Sequence, residues 1–335
     1  MSLVSVITPT FNRAKLIGRA IKSVLAQTYE DFELIIVDDN STDDTQQVVA
    51  SFADERIRYL RQEHNQGQNP ALNMGVRAAR GQKIAFLDSD DEWLPTYLER
   101  MLEVFAQDKT LGMVYTDMFG ASPEGMLVKS DYYFHLQGSI YREALAQGYI
   151  SGMGCLVVTR ECIERLGPEP FDPDFVGCQD DDFCFRVAKE FRIGLIKEPL
   201  VICHIDAGIG TARLTTNHAA NAEGWWRLID KFKADILKEC GGAVLAAHYI
   251  TVAKFSFRAG QIERTHNALA LARHASPSGK YVIIDTIARM PFFLPASYKT
   301  YKPLKKLRNL SGLEPLQRRV QHLVAYLKKG RKRSA

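Results

Sequence analysis

The chain has 335 residues, 46% of them hydrophobic, and carries 43 Lys and Arg against 39 Asp and Glu, a net charge of +4. That length and apolar content can bury a sizeable core and exclude a fibrous or disordered chain. Six cysteines, at 155, 162, 178, 184, 203 and 240, form neither a CxxC pair nor a zinc spacing, which fits reduced packing thiols in a cytosolic protein.

The first elements alternate. Residues 3 to 8, "LVSVIT", form a β-rich run closed by Pro9, and a helical pattern follows through Ile17, Ala20, Ile21, Val24 and Leu25. "FELIIVDDNSTDDT" is an apolar strand that ends in Asp38 and Asp39 and passes through a Ser/Thr/Asp cluster into another helix. "RIRYLRQ" reads as a third strand, residues 70 to 79 as a helix, and "KIAFLD" as a fourth strand. Strands alternating with helices predict an α/β sheet with helices on both faces, in which ligands sit beyond the carboxyl ends of the strands.

Three polar segments fall at those ends: Pro9 to Asn12, Asp38 to Ser41, and Asp88 to Asp91. Each alone is an ordinary turn, because Asp, Asn and Ser favour turns and helix caps. Together, with Asp88 and Asp90 separated by one serine, they form a socket for a hard divalent cation. Such an ion takes one or two carboxylates and fills its remaining positions with water and substrate phosphate.

Further on, residues 152 to 166 read as a strand and a helix, and Gln179 to Asp182 opens a helix with the apolar stripe Phe183, Val187 and Phe191. Acids in a first helical turn are favoured by the macrodipole, so three aspartates there need no function. Asp182 is explained by Arg186 four residues on, as an exposed intrahelical pair. Asp180 heads the buried stripe, where a carboxylate has no structural reason to sit. From Thr216 onward the pattern is helical: Trp225, Trp226, Ile229 and Phe232 share a face read as core. Further helices are expected from Ala243 to Phe257 and from Gln261 to His274, with a turn at Gly260.

"VSVITPTFNR", "IIVDDNSTDDT", "HNQGQNPALNMGVRAARG" and "IAFLDSDDEWLP" resemble, in order and spacing, the nucleotide-sugar domain of family 2 glycosyltransferases, which have the GT-A fold. The resemblance covers roughly residues 3 to 205. It implies that Pro9, Thr10 and Asn12 line the nucleoside pocket and that Asp39 holds the nucleobase. It places Asn65, Gly67, Asn73 and Gly75 beside the nucleotide. The DxD element maps to Asp88, nearer the ribose, and Asp90, the direct ligand of Mg2+ or Mn2+. The family's acidic pair maps to Gln179 and Asp180, so the first acid has become an amide and Asp180 is the candidate base. His204, after "PLVIC", stands where some GT-A enzymes place a further metal or phosphate ligand; a lone histidine after a strand is more often structural.

The expected protein is an inverting, metal-dependent transferase. It moves one sugar from a nucleoside diphosphate sugar, UDP being the first expectation, to a hydroxyl of a glycan or lipid-linked acceptor in bacterial surface polysaccharide synthesis. Processive synthases of the family carry a Gln-x-x-Arg-Trp element and several membrane spans, and neither is found here. A haloacid-dehalogenase phosphatase also ends a strand in Asp-x-Asp, but it expects Thr or Val where this chain has Glu92. Gln179 keeps open a third reading, a sugar-nucleotide binder without turnover.

Residues 1–210 are expected to form the nucleotide-sugar and acceptor domain, 211–279 a helical appendage, and 280–335 a tail. From Lys280 onward there are fourteen Lys and Arg against two acids, which leaves 29 Lys and Arg against 37 Asp and Glu in the rest. Leu313, Leu316, Val320, Leu323, Val324 and Leu327 follow helical spacing among those bases, a pattern that suits an anionic membrane surface as well as packing or a coiled coil. No signal peptide is expected, and the longest apolar stretches are broken by His248 and Lys254 or by two prolines. The expected place is the cytoplasm, with peripheral contact at the inner face of the membrane; no nucleic-acid partner is expected, and an oligomer is left open.

Overall fold

Buried strands set the frame. In the computed structural model, which describes residues 3–121, 127–129, 135–148, 150–204 and 217–277, β1 (Val4–Thr10) and β2 (Phe32–Asp38) are buried along their whole length. Helices α1 (Ile17–Leu25) and α2 (Thr45–Ala50) follow them, then β3 (Ile57–Arg61), α3 (Gln68–Ala78) and β4 (Lys83–Phe86). This alternation was legible from the sequence because strands covered on both faces read as continuous apolar runs.

Less legible is the second half: β5 (Glu92–Trp93), α4 (Tyr97–Gln107), β6 (Leu111–Ala121), β7 (Leu127–Lys129), α5 (Tyr141–Gln147), β8 (Leu156–Thr159), α6 (Arg160–Leu166), α7 (Gln179–Glu190) and β9 (Arg192–His204). The described strands form one sheet in the order β3-β2-β1-β4-β8-β6-β9-β5, with β7 hydrogen-bonded to β6. Strands β1, β2, β3, β4, β6 and β9 run one way and β5, β7 and β8 the other, so the sheet is mixed with most strands co-directional. Register aligns Thr10 with Asp38 and Ala121 with His204, and these strand ends lie on the carboxyl edge.

Under that edge sits an aromatic cluster from three separate segments. Phe86 meets Phe171 edge-on at 5.3 Å, and Phe171 stacks on Phe183 at 4.7 Å. All three are essentially fully buried, each contributing about 1.5–3 kcal/mol of apolar burial, and Phe183 thereby fastens α7 to the end of β4.

Three further helices, α8 (His218–Glu239), α9 (Gly242–Arg258) and α10 (Ile262–Ala275), follow the predicted spacing, with the expected turn at Gly260 in the left-handed region. Helix α8 packs on α7 through Phe232 against Phe185, 5.4 Å between centroids. It comes so close at Gly224 that an added Cβ would lie 2.3 Å from the Gly177 carbonyl oxygen. Trp225 and Trp226 are half-buried between helices, Trp225 against His248 and Trp226 against Tyr249. Among the described residues no helix is long and apolar enough to cross a membrane. The basic tail from Lys280 lies outside the described residues.

Candidate active site

Asp39 follows β2 and is 4% exposed. Its Oδ1 accepts from the Gln66 amide at 2.7 Å and from Gln62 Nε2 at 2.8 Å, and its Oδ2 accepts from the Gly67 amide at 2.8 Å. Gly67 can present that amide because φ is +95° there, a conformation that costs glycine little. Burial pushes the Asp39 carboxyl up, against the two amide bonds. Asn65 adds a bond from Nδ2 to the Asp39 carbonyl at 3.3 Å, so Asn65 and Gly67 shape the loop around Asp39.

The neighbouring residues mostly brace this loop. Asp38 is fully buried, bonded to the Ser41 amide at 2.7 Å and to the Tyr59 hydroxyl; burial and that bond push Tyr59 up to about 12. Asn12, at φ +52°, ties the first loop to the second: its amide donates to Ser41 Oγ at 2.9 Å and its Oδ1 accepts from the Thr42 amide at 2.7 Å. Pro9 and Thr10 end β1 opposite Val37 and Asp38, and the Thr10 carbonyl accepts from the Asp39 amide at 2.8 Å.

Asn73 takes a different place from the one expected beside the nucleotide. It is 2% exposed, and both ends of its amide are spent on the Phe171 backbone, at 2.7 and 3.0 Å. One turn earlier, Asn69 donates to the carbonyls of Asp172 and Phe175, so α3 clamps the segment that leads into α7.

Just after β4, Asp88 Oδ1 accepts from Gln68 Nε2 at 3.2 Å, and Gln68 Oε1 in turn accepts from Gln179 Nε2 at 3.2 Å. Asp90, 19% exposed, lies 4.0 Å from Arg13 Nη2, and its carbonyl accepts from Arg19. His204 ends β9 next to this segment: its amide donates to Asp91 Oδ1 at 3.1 Å and its Nε2 meets Glu92 Oε1 at 2.7 Å. A metal-ligand role for His204 through Nε2 therefore requires the Glu92 contact to break. Among the described residues no group of three His, Cys, Asp or Glu side chains is placed to hold a metal by itself. The hard oxygens of Asp88 and Asp90 suit Mg2+ or Mn2+, which draw further ligands from phosphate and water.

The three aspartates at the start of α7 diverge. Asp180 keeps part of its surface accessible, yet burial pushes its carboxyl up to about 6, opposed by a hydrogen bond from the Met153 backbone. Asp181 is buried against the Cys178 thiol, and burial followed by the charges of Asp180 and Asp182 holds it well above the usual carboxylate range. Asp182 forms the expected pair with Arg186, at 2.7 Å, but the pair is not exposed: Asp182 is 1% exposed and also meets Lys231 of α8 at 2.7 Å. The sequence places the i,i+4 partner but not the second cation, which arrives from a helix 49 residues away. The turn Met153–Cys155 touches both halves of the site, bonding Asp180 at Met153 and passing Asp88 at Gly154, where a Cβ would lie 3.9 Å from Asp88 Oδ2. Trp93, three residues beyond Asp90, anchors that turn by donating from Nε1 to the Gly154 carbonyl at 2.8 Å.

The sequence profile described as Glycosyl transferase family 2 matches residues 5–147. The UDP-Glc:alpha-D-GlcNAc-diphosphoundecaprenol beta-1,3-glucosyltransferase WfgD of Escherichia coli is 34% identical over 196 residues, covering 58% of this chain and 73% of that one. This chain belongs to glycosyltransferase family 2. The uncharacterized glycosyltransferase alr2836 of Nostoc sp. is 44% identical over 115 residues, 33% of this chain, and the match spans only 35% of that relative's length. Among solved structures, S. aureus TarS 1-349 in complex with UDP-GlcNAc superposes with a TM-score of 0.63 at 18% identity, over 88% of this chain and 87% of that one. The fold of this glycosyltransferase is accordingly of the GT-A type, and family membership sets the phosphatase reading aside.

Proposed function

We propose that this glycosyltransferase moves a single sugar from a nucleoside diphosphate sugar, UDP being the first candidate, onto a hydroxyl of a glycan or lipid-linked acceptor, with inversion at the anomeric carbon. The observation that carries the reading is the meeting of Asp88 and Asp180 at one turn, with Asp180 held near 6 by burial. A carboxylate with that affinity for protons is mostly ionised at pH 7 yet basic enough to act as a general base. Asp180 takes the proton of the acceptor hydroxyl, the acceptor oxygen attacks the anomeric carbon, and the bond from that carbon to the diphosphate breaks from the opposite face. Asp90 would hold Mg2+ or Mn2+, whose charge offsets that of the departing diphosphate. Asp39, with its loop, would bind the base, and Asp88 the ribose.

The relative WfgD, by its name, acts on a diphosphoundecaprenol-linked sugar, which supports a lipid-linked acceptor and a place in surface polysaccharide synthesis. In this reading residues 1–210 hold both substrates, 211–279 buttress the base helix, and the basic tail 280–335 meets the anionic membrane where such acceptors reside. Gln179, where the family carries an acid, favours one rival, a nucleotide-sugar binder without turnover. Incubation with a panel of UDP- and GDP-sugars and a sugar-diphospholipid acceptor, followed by NMR of the new linkage, separates the two. Transfer with inverted configuration supports the enzyme; donor binding with no product under any pairing supports the rival.

A further inference from the structure

Gln68 and Gln179 come from helices 111 positions apart in sequence, and their amides join end to end between the base helix and Asp88. A primary amide has one accepting oxygen and one donating nitrogen, so the direction of each bond constrains the next. Gln179 donates to the oxygen of Gln68, which leaves the nitrogen of Gln68 to face Asp88 Oδ1. Both bonds are 3.2 Å, and both glutamines start their helices, α3 and α7, so the backbone holds their side chains at this junction.

We infer that Gln179 is a positioning residue that acts through Gln68: it sets the polarity of an amide relay and so guarantees Asp88 a hydrogen-bond donor. An acid at position 179 can only accept. It would draw the Gln68 nitrogen toward itself and turn the Gln68 oxygen onto Asp88, putting two acceptors face to face. The neutral residue at 179 is therefore matched to its partner on α3. The inference rests on the proposed role of Asp88 in nucleotide binding.

Titration calorimetry with UDP and Mg2+ tests it on four proteins beside wild type. Gln179→Glu is nearly isosteric and adds an acid to a first helical turn, where the macrodipole tolerates it. It should weaken UDP binding by about 10- to 100-fold, the worth of one hydrogen bond to a charged group. Gln179→Met, which removes the bond without reversing it, should cost less than about 3-fold, because Gln68 can still turn its nitrogen to Asp88. Gln68→Met should lose about as much as Gln179→Glu, and the double variant Gln68→Met/Gln179→Glu should be no weaker than Gln68→Met, within about 2-fold, since the two residues act as one unit. A Gln179→Glu penalty that persists in the Gln68→Met background would mean direct repulsion of the diphosphate and overturns the relay. So would equal losses in Gln179→Glu and Gln179→Met. If wild type binds no nucleoside diphosphate at all, the functional reading fails and the inference falls with it; wild-type binding with no effect at position 179 sinks the relay alone.

Discussion

Two carboxylates, Asp39 just after β2 and Asp180 at the start of α7, differ in what surrounds them. Asp39 receives three donors, from Gln62, Gln66 and Gly67, and is locked into a preformed loop. Asp180 is desolvated as well, but it is offset only by the Met153 backbone, and its carboxyl rises to about 6. Burial alone therefore does not decide what an acid does. Burial pushes both carboxyls up, but at Asp39 the Gln66 and Gly67 amides oppose that rise and tie the carboxylate to its loop, whereas at Asp180 a single backbone bond opposes it.

The sharpest way to break this contrast is Asp180→Asn. Turnover should fall by roughly 10² to 10⁴, the usual contribution of a positioned base. The same variant should be more stable than wild type at pH 8. The folded protein binds the Asp180 proton more tightly than the unfolded chain does, so the stabilisation is full below about pH 4 and is lost as pH rises through about 6. Above that range wild type carries a cost of about 1–3 kcal/mol that the amide avoids. Initial rates and thermal melts at pH 4.5 and 8 check both halves; an unchanged rate, or a variant that melts earlier at pH 8, contradicts the assignment.

Asp182→Asn should do the reverse. It leaves Arg186 and Lys231 facing a neutral group inside the α7–α8 contact and should destabilise the fold by about 3–5 kcal/mol in urea unfolding, far beyond the roughly 0.2–0.5 kcal/mol of an exposed helical pair. A loss below about 1 kcal/mol would return this pair to the surface class.

Asp39→Asn should act on binding. Its amide nitrogen would oppose the donors of Gln62, Gln66 or Gly67, and the loss of one charged bond predicts UDP affinity lower by about 10- to 100-fold. Turnover at saturating donor should move much less than in Asp180→Asn. Equal effects on kcat and on donor affinity would erase the distinction between the two carboxylates.

The smallest expected effect is a pH limb in the wild-type protein. The rate should fall about tenfold per pH unit once pH drops below about 6, as Asp180 takes up its proton. A profile flat down to pH 4.5 would leave Asp180 without a base role.

Much of this arrangement is legible in the sequence. Continuous apolar runs located β1, β2 and β4, and Asp, Asn and Ser clusters at their ends marked the carboxyl edge of the sheet. The start of α7 and the Asp182–Arg186 pair followed from local spacing. What stayed hidden came from distant segments: Lys231 on Asp182, Gln62 on Asp39, and Phe171 on Asn73. Strand β6 and the antiparallel placement of β8 were also hidden, since periodicity does not state which neighbour a strand pairs with.

By itself, then, the sequence determined the α/β alternation, the order of the four motifs and the charge types at each strand end, because those depend on backbone preferences and on contacts within a few residues. Only the tertiary structure decided that Asp181 is shut in beside a thiol and that Asp182 is held by Lys231 as well as by Arg186. Those fates are set by desolvation and by donors that the chain brings from up to about 50 residues away, and no local pattern records them.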